Sequence, residues 1–352
     1  MLRFALMGCG RIAKRHSELL GYKQIEGATL ACVCDLDIEK ARTIGEKFGV
    51  PYYTDVHQMM AEQQPDVVTI LTESGRHAEH VIALAPYRKH LIVEKPMALT
   101  VADADKMIAA CKAANIRLFV VKQNRFNVPV TKLREALEAG RFGKLVMGTV
   151  RVRWSRDQSY YAQDNWRGTW RFDGGVLTNQ ASHHVDLLEW MMGPVRSVFA
   201  KTSTALVDIE AEDTAVVVLE FMNGALGIIE ATTAVRPKDL EGSISLLGER
   251  GAVEIGGFAV NKLKVWNFLD AGPSDADVIE THSVNPPNVY GFGHQAYYEH
   301  VVDAISNDRQ YVIDGEAGRR SLQLINAIYE SVETGKPVEV GSSDHVTRLG
   351  RD

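Results

Sequence analysis

The sequence predicts an α/β protein of two domains: a doubly wound parallel sheet, followed by an α+β domain with a large, mainly antiparallel, open-faced sheet. The first third alternates short apolar runs with helical patterns, as βαβ units do. Those runs are apolar throughout, because both faces of a parallel sheet are covered. After about residue 125, closely spaced strands separated by glycine turns indicate hairpins instead.

In the predicted first domain, residues 1–124, strands are expected at 2–7, 29–34, 67–71, 90–93 and 117–121. Helical patterns lie between them, at 11–20, 38–48, 55–61, 77–85 and 101–114. In the second domain, residues 125–352, strands are expected at 145–154, 198–206, 213–222, 225–233, 242–247, 252–255 and 262–268. Three further helices are expected there, at about 176–190, 294–305 and 316–333.

Composition excludes several classes of protein. The chain has 352 residues with a formal charge of -6, which argues against a nucleic-acid partner because such binding needs a basic surface. No stretch reaches the roughly 20 apolar residues of a membrane span, and no signal-like segment is present, so we expect a cytoplasmic protein. Its cysteines lack paired CxxC spacing and are predicted to be buried, reduced thiols: Cys9, Cys32, Cys34 and Cys111.

A glycine-rich segment, Gly8-Cys9-Gly10-Arg11-Ile12-Ala13, matches G-x-G-x-x-[GA] between the first predicted strand and helix. Glycines there permit a tight turn and the close approach of a pyrophosphate, which the helix amino terminus then faces. We therefore predict a Rossmann dinucleotide site with contacts from Gly8, Cys9, Gly10, Arg11 and Ile12.

Asp35 stands at the end of the second predicted strand. A carboxylate there can accept hydrogen bonds from the ribose hydroxyls of NAD and would repel the 2′-phosphate of NADP, so NAD is the predicted cofactor. A solvated loop acid or a helix cap is the alternative interpretation of Asp35.

Thr72 and His77 follow the third apolar strand, where ligands of open α/β sheets collect, and both are predicted to contact the cofactor. A partly buried surface histidine remains the alternative for His77.

Two further motifs follow in order: Glu94-Lys95-Pro96 directly after a strand, and a Gly-Gly-x-Leu-x-x-x-x-x-His-x-x-Asp segment that starts at Gly174. Together with the glycine-rich turn they make the sequence resemble the Gfo/Idh/MocA oxidoreductases over most of its length. Segments at 120–125, 166–170, 179–183, 240–244 and 289–294 look like those of the UDP-N-acetylglucosaminuronate 3-dehydrogenases. That subgroup acts in bacterial surface-polysaccharide (lipopolysaccharide) synthesis.

The resemblance implies an NAD-dependent oxidation of a substrate alcohol, with Lys95 and His183 as catalytic residues. An ammonium can donate to a developing alkoxide, and a neutral imidazole suits the removal of a hydroxyl proton near pH 7. The resemblance also implies a homo-oligomer, a dimer or tetramer. The remaining expected cofactor contacts are Glu94, Lys95, Gln123 and Arg167.

Residues 151–171 form a basic and aromatic window on an acidic protein, with five arginines against two aspartates. Guanidinium groups suit a carboxylate or diphosphate, and aromatic rings suit a base or sugar, so a UDP-sugar is the expected substrate. Alternation in this window leaves open a half-exposed strand face for Arg151 and Arg153. The predicted substrate contacts are Lys95, Asn124, Arg125, Arg156, Tyr160, Arg167, Asn179, His183, Lys238 and Tyr290.

Asn179 and His183 are four residues apart, which predicts one shared helix face. Many relatives carry an aspartate where Asn179 stands, so a carboxylate-assisted relay is in doubt and Asn179 is expected to position a substrate hydroxyl. His184 points elsewhere and is expected to be structural, and the adjacency of the two histidines argues against a metal site. The alternatives are a dehydrogenase of a neutral sugar or polyol and a non-catalytic NAD-sensing regulator.

Overall fold

The computed structural model describes residues 1–283, 292–341 and 347–351, which fall into two compact units. Unit 1 is Met1–Lys122 with His294–Arg320, and unit 2 is Gln123–Gly293 with Ser321–Asp352. The predicted boundary after residue 124 assigned His294–Arg320 to the second domain, and the units differ from it there. The physical reason is a pairing near the end of this segment: the Val120 amide donates to the Ile313 carbonyl at 2.8 Å.

The described residues of unit 1 form a six-stranded parallel sheet in the order β3-β2-β1-β4-β5-β6. β2 and β3 lie on one side of β1, and β4, β5 and β6 lie on the other, so the topological switch point is between β1 and β4. Ligands of such sheets bind at the carboxyl ends of these two central strands. The two-residue β3 was not predicted. The strands are β1 Leu2–Met7, β2 Ala28–Cys34, β3 Tyr52–Tyr53, β4 Val67–Ile70, β5 His90–Val93 and β6 Leu118–Val120.

Unit 2 contains an eight-stranded sheet within its described residues, in the order β13-β12-β11-β7-β10-β9-β8-β14. β7 and β10 pair in parallel and the other neighbouring strands are antiparallel, which confirms the mainly antiparallel prediction. Its strands are β7 Leu145–Arg153, β8 Val195–Ser203, β9 Thr214–Phe221, β10 Leu226–Thr232, β11 Glu241–Gly248, β12 Gly251–Gly256, β13 Lys262–Phe268 and β14 Val338–Glu339.

One face of this second sheet is open. In β9, Ala215 and Val217 are buried while Val216 and Val218 are half exposed. On the other face, α8 packs against β7. The two elements approach closely at Gly148, where a Cβ would lie 2.7 Å from Met192 Cγ. An α+β domain with an open-faced sheet is therefore confirmed.

The helices are α1 Ala13–Gly21, α2 Ile38–Phe48, α3 Val56–Gln63, α4 His77–Leu84, α5 Val101–Ala113, α6 Val128–Glu138, α7 Gln158–Tyr161, α8 Ser182–Met192, α9 Val278–Thr281, α10 Gly293–Ser306 and α11 Gly315–Thr334. α6 was not predicted. Among the described residues, no helix is long and apolar enough to cross a membrane. The cysteines are buried and form no disulfide in this part of the chain, as expected.

α8 begins six residues later than predicted, which is a correction. Residues 176–180 form turns, and the Ala181 amide donates to the Val176 carbonyl five residues back at 2.8 Å, which departs from the four-residue spacing of an α-helix. The segment is also bound to Glu212: Val176 donates to its carbonyl and Leu177 to its Oε1, each at 2.9 Å. Asn179 therefore lies before the helix and does not share a helical face with His183.

Candidate active site

The glycine-rich turn joins β1 to α1 in unit 1. Gly8 has φ of +97°, and a Cβ there would lie 2.8 Å from the backbone carbonyl of Leu71, so only glycine lets these segments approach. At Gly10 a Cβ would meet no described atom within 4 Å, which leaves space beside the turn for a ligand. These features, with the amino terminus of α1 directly after the turn, fit a bound pyrophosphate.

Asp35 follows β2 and is tied to the same turn. Its Oδ2 accepts from the Cys9 amide at 2.6 Å, and its Oδ1 accepts from the Asp37 amide at 2.8 Å. These contacts hold a half-exposed carboxylate beside Cys9, where it can accept from a ribose hydroxyl. Capping of α2 is the task of Asp37, which accepts from the Glu39 amide, so the capping alternative for Asp35 is wrong.

The His77 ring lies between two backbone carbonyl groups. Its Nδ1 lies 2.7 Å from the Pro96 carbonyl oxygen and its Nε2 lies 3.0 Å from that of Thr72, and the residue is 1 % exposed. Burial lowers the pKa of His77. Both ring nitrogens contact protein carbonyls, and contact with the cofactor stays a prediction. Thr72, half-buried with its hydroxyl 2.9 Å from His80 Nδ1, stays a predicted contact.

Glu94 lies inside unit 1, directly before Lys95. Its Oε2 accepts from the Lys95 amide at 2.8 Å, and its Oε1 lies 3.1 Å from His16 Nε2. Burial opposes the charged form, but the His16 hydrogen bond and the charges of His16, His294 and Lys95 outweigh it and lower the pKa of Glu94 to about 2. Both oxygens thus have partners within the protein, and a cofactor contact by Glu94 stays a prediction. Lys95 is half-buried.

The partners of Glu94 could not be predicted from the sequence. His16 lies in α1 and is fully buried, with its Nδ1 2.7 Å from the hydroxyl of Tyr298 in α10. The signal for His16 was a histidine among the apolar positions of an amphipathic helix, close to Leu19 and Leu20. No sequence signal joined it to Tyr298, because the two are 282 residues apart.

In unit 2, His183 lies in the first turn of α8 and is 8 % exposed. The side-chain amide nitrogen of Gln123 lies 2.9 Å from His183 Nε2. A side-chain amide is uncharged and can pair with either tautomer of the ring, so this contact orients the imidazole without adding charge beside it. Gln123 was predicted to contact the cofactor; within unit 2, the structure shows it on the candidate base.

Two neighbours of His183 take roles different from those expected. Asn179 donates to Asp173 Oδ1 at 2.7 Å, and Asp173 is 2 % exposed, so a buried carboxylate does stand beside the asparagine. His184 is fully buried, its ring lies edge-on to Trp154, and burial lowers its pKa to about 4. It lies in the core of unit 2, and a structural role for it stays a prediction.

Arg125 is committed to an ion pair. Its Nε and one terminal nitrogen donate to the two carboxylate oxygens of Asp186 at 2.8 and 2.7 Å, and both side chains are almost fully buried. Asp186 offsets the charge of this guanidinium, and contact between Arg125 and the substrate stays a prediction.

The basic window separates into two groups. Arg151 and Arg153 pair with glutamates of neighbouring strands, which confirms the sheet-face alternative for them. Arg156 and Arg167 instead belong to an alternating series of aromatic rings and guanidinium groups, hereafter the Arg–aromatic column. Its members, in stacking order, are Trp154, Arg156, Tyr160, Arg167 and Trp166.

Distances within the column are short. Arg156 lies 5.4 Å from the Trp154 ring centre and 5.5 Å from that of Tyr160, and Arg167 lies 5.0 Å from Tyr160 and 4.6 Å from Trp166. Arg156 also pairs with Asp239 at 2.9 Å and Arg167 with Asp164 at 2.8 Å. In hydrogen bonds to described residues, Arg167 uses two of its nitrogens and Arg156 one, so further N–H groups can serve a ligand.

Three predicted substrate contacts remain. Asn124 is buried in the 3-10 turn Gln123–Phe126, and Lys238 is exposed beside Asp239. Tyr290 lies outside the described residues. Of the glycine-turn residues, Arg11 is exposed and Ile12 is half-buried. Direct ligand contact by these side chains stays a prediction.

Parallel strand order, the glycine turn and the carboxylate after β2 define an NAD-binding Rossmann unit. Two family models cover most of the chain: "Oxidoreductase family, NAD-binding Rossmann fold" matches residues 2–122, and "Oxidoreductase family, C-terminal alpha/beta domain" matches residues 134–340. The protein therefore belongs to the Gfo/Idh/MocA family and is an NAD-dependent oxidoreductase.

Individual relatives act on sugars and polyols. A myo-inositol 2-dehydrogenase from Thermotoga maritima is 36 % identical over 260 residues, 72 % of this chain and 74 % of that protein. The WlbA dehydrogenase from Bordetella pertussis, solved with NADH and UDP-GlcNAcA, is 40 % identical with a TM-score of 0.88, covering 96 % of this chain and 98 % of that one. Its counterpart from Chromobacterium violaceum, with the same ligands, is 41 % identical with a TM-score of 0.90, covering 96 % and 95 %.

Proposed function

We propose that this protein oxidises the C3 hydroxyl of UDP-N-acetylglucosaminuronate (UDP-GlcNAcA) to the 3-keto sugar, with NAD as oxidant. The observation that carries the substrate assignment is the Arg–aromatic column of unit 2. Its guanidinium groups offer donors to a diphosphate or carboxylate, and the partly exposed Trp166 at its end offers a ring to a uracil or sugar. Two structures of about 40 % identity that hold this nucleotide sugar support the proposal.

Electrostatics adds an argument independent of the relatives. The ligand carries about three negative charges, and a protein of net charge -6 repels it unless cations are gathered locally. Arg125 is buried against Asp186, and Arg151 and Arg153 each pair with two glutamates. Arg156 and Arg167 each pair with one aspartate and keep N–H groups for a ligand, so this task falls to them, helped by the exposed Lys238.

The chemistry requires three functions at the reacting alcohol. NAD, when bound, supplies the hydride acceptor. His183 takes the hydroxyl proton, for which a neutral imidazole is suited, and the Lys95 ammonium stabilises the negative charge that develops on the oxygen. Surface-polysaccharide synthesis in the cytoplasm is the proposed setting, and a homo-oligomer the proposed assembly.

Initial rates of NADH formation test the substrate. UDP-GlcNAcA should be used on the order of ten- to a hundredfold better than UDP-N-acetylglucosamine, because one charge-assisted hydrogen bond is worth about 1.5–3 kcal/mol. Arg156→Met and Arg167→Met should each raise KM for UDP-GlcNAcA by a similar factor. Arg171→Met is the matched control: it removes an equal charge from the same segment but outside the column, and should change KM little.

The alternative is a dehydrogenase of a neutral polyol, which the inositol dehydrogenase relative favours. Equal rates with UDP-N-acetylglucosamine or myo-inositol would replace the uronate proposal by that alternative.

A further inference from the structure

A buried polar chain runs through unit 1 beneath Lys95. The Tyr298 hydroxyl contacts His16 Nδ1 at 2.7 Å, His16 Nε2 contacts Glu94 Oε1 at 3.1 Å, and Glu94 Oε2 accepts from the Lys95 amide at 2.8 Å. Tyr298 also lies 3.4 Å from the Thr69 hydroxyl. These contacts thus link side chains from β4, α1 and α10 to Glu94, the residue directly before Lys95.

Three side chains in this region are of types that can bind a metal ion. One atom each from His16, Glu94 and His294 lies within 4.8 Å of the others. A metal needs separate bonds of about 2.0–2.2 Å to each ligand. Here His16 and Glu94 are in direct hydrogen-bond contact, and the second atom of each contacts Tyr298 or the Lys95 amide. The arrangement is that of a hydrogen-bonded chain with a fixed carboxylate.

The charges around Glu94 are mostly positive or neutral. Its own loop contributes Lys95, α1 contributes His16, α4 contributes His77, and α10 contributes His294, Tyr297 and Tyr298. Burial raises the pKa values of Tyr297 and Tyr298 well above their usual range, so neither competes as an anion. Glu94 is therefore the negative charge of this group, 7 % exposed and one residue from Lys95.

We propose that Glu94 is a positioning residue: in contact with His16 and with the Lys95 amide, its carboxylate keeps the neighbouring Lys95 side chain in its ammonium form and anchors the Lys95 backbone. The inference deepens the proposed function, since it rests on Lys95 acting as a charged donor. A fixed anion favours the charged form of a nearby amine because the two attract in a weakly screened interior.

Competitive acetylation of the full chain without substrate tests the proposal, with labelling of Lys95 followed by mass spectrometry across pH. Glu94→Gln removes the charge at constant shape, and should lower the midpoint of Lys95 labelling by about one pH unit or more. Glu94→Asp keeps a charge and should retain a midpoint close to that of the parent. NADH binding, followed by fluorescence, checks that each variant is folded.

His16→Leu provides a second route if Glu94→Gln does not fold. It removes the donor that holds Glu94 ionised, so burial favours the protonated carboxyl and the Lys95 midpoint should fall as well. An unchanged midpoint in folded Glu94→Gln, or equal falls in Glu94→Gln and Glu94→Asp, would overturn the proposal. Because no sugar is present, an error in the proposed substrate does not affect the result.

Discussion

Arg125 and Asp186 form a buried, two-pronged ion pair in unit 2, with N···O distances of 2.8 and 2.7 Å. Asp186 lies one turn after His183 on α8, and Arg125 lies two residues after Gln123. The pair therefore fixes α8 to the 3-10 turn that carries Gln123, and it holds the Gln123–His183 contact in place.

Breaking this pair should destabilise the protein. Asp186→Asn or Arg125→Met leaves one uncompensated buried charge, so each should lower the free energy of unfolding by roughly 3–5 kcal/mol, measured by urea titration. The double variant Arg125→Met/Asp186→Leu removes both charges and should cost less than the sum of the single changes. Strict additivity would contradict a coupled pair.

Gln123 should affect His183 through its amide. Gln123→Glu places an anion beside Nε2, favours the protonated imidazole and should move the acid limb of the kcat/KM pH profile to higher pH. Gln123→Ala should lower kcat and leave the NADH dissociation constant nearly unchanged. A Gln123→Glu profile that superimposes on the parent's would count against this role.

Lys95→Met and His183→Ala should each lower turnover by about a hundredfold or more, the usual value of a positioned acid or base. NADH binding should persist, because the glycine turn and Asp35 are untouched. Lys112→Met on the exposed face of α5 is the control for loss of a lysine. Near-normal turnover in His183→Ala would remove its assignment as the base.

Asp35 should select NADH over NADPH. Asp35→Ser should weaken NADH binding on the order of tenfold and narrow the difference between the two cofactors, as measured by fluorescence titration. Asp37→Asn keeps the cap of α2 while removing a nearby charge, and should leave that difference unchanged. Tighter binding of NADPH by the unmodified protein is the outcome incompatible with this assignment.

Glu212 should make stability depend on pH. Burial raises the pKa of its carboxyl to about 7, from an ordinary value of 4.5. The unfolded chain thus loses this proton from about pH 4.5, whereas the folded protein retains it to about pH 7, so stability falls as pH rises between these values.

Glu212→Gln cannot ionise, so its free energy of unfolding should rise relative to that of the parent by about 3 kcal/mol across that pH window. Urea titrations at pH 4.5 and 7.5 measure the difference, in which the other carboxyl groups cancel. A difference that stays constant with pH would show that Glu212 titrates normally.

Local patterns in the sequence were sufficient to predict most strands and helices of unit 1. The bounds of β1, α2 and β5 agree with prediction, because apolar strands and capped helices are set by residues close in the chain. The glycine turn could also be predicted from the sequence, since the Gly8 conformation and the space at Gly10 follow from the absence of side chains. β3 was missed because two residues carry no periodicity.

Contacts between distant residues could not be found this way. Asn179 was placed on a helix because its spacing from His183 is helical, but Glu212, 33 or more residues away, holds the preceding amides in a turn. The arginine window showed positive charge, while the structure decided which guanidinium groups meet glutamates on neighbouring strands and which stack with aromatic rings.

The sequence by itself determined most of the strands and helices, the glycine turn and the chemical identity of Lys95 and His183, since these depend on local pattern and residue type. Only the tertiary structure decided that Arg125 is neutralised by Asp186, that His77 holds two carbonyl groups, and that His16 and Tyr298 end on Glu94. Charge and hydrogen bonding act over a few ångströms in space, and the distance between two residues along the chain does not reveal that separation.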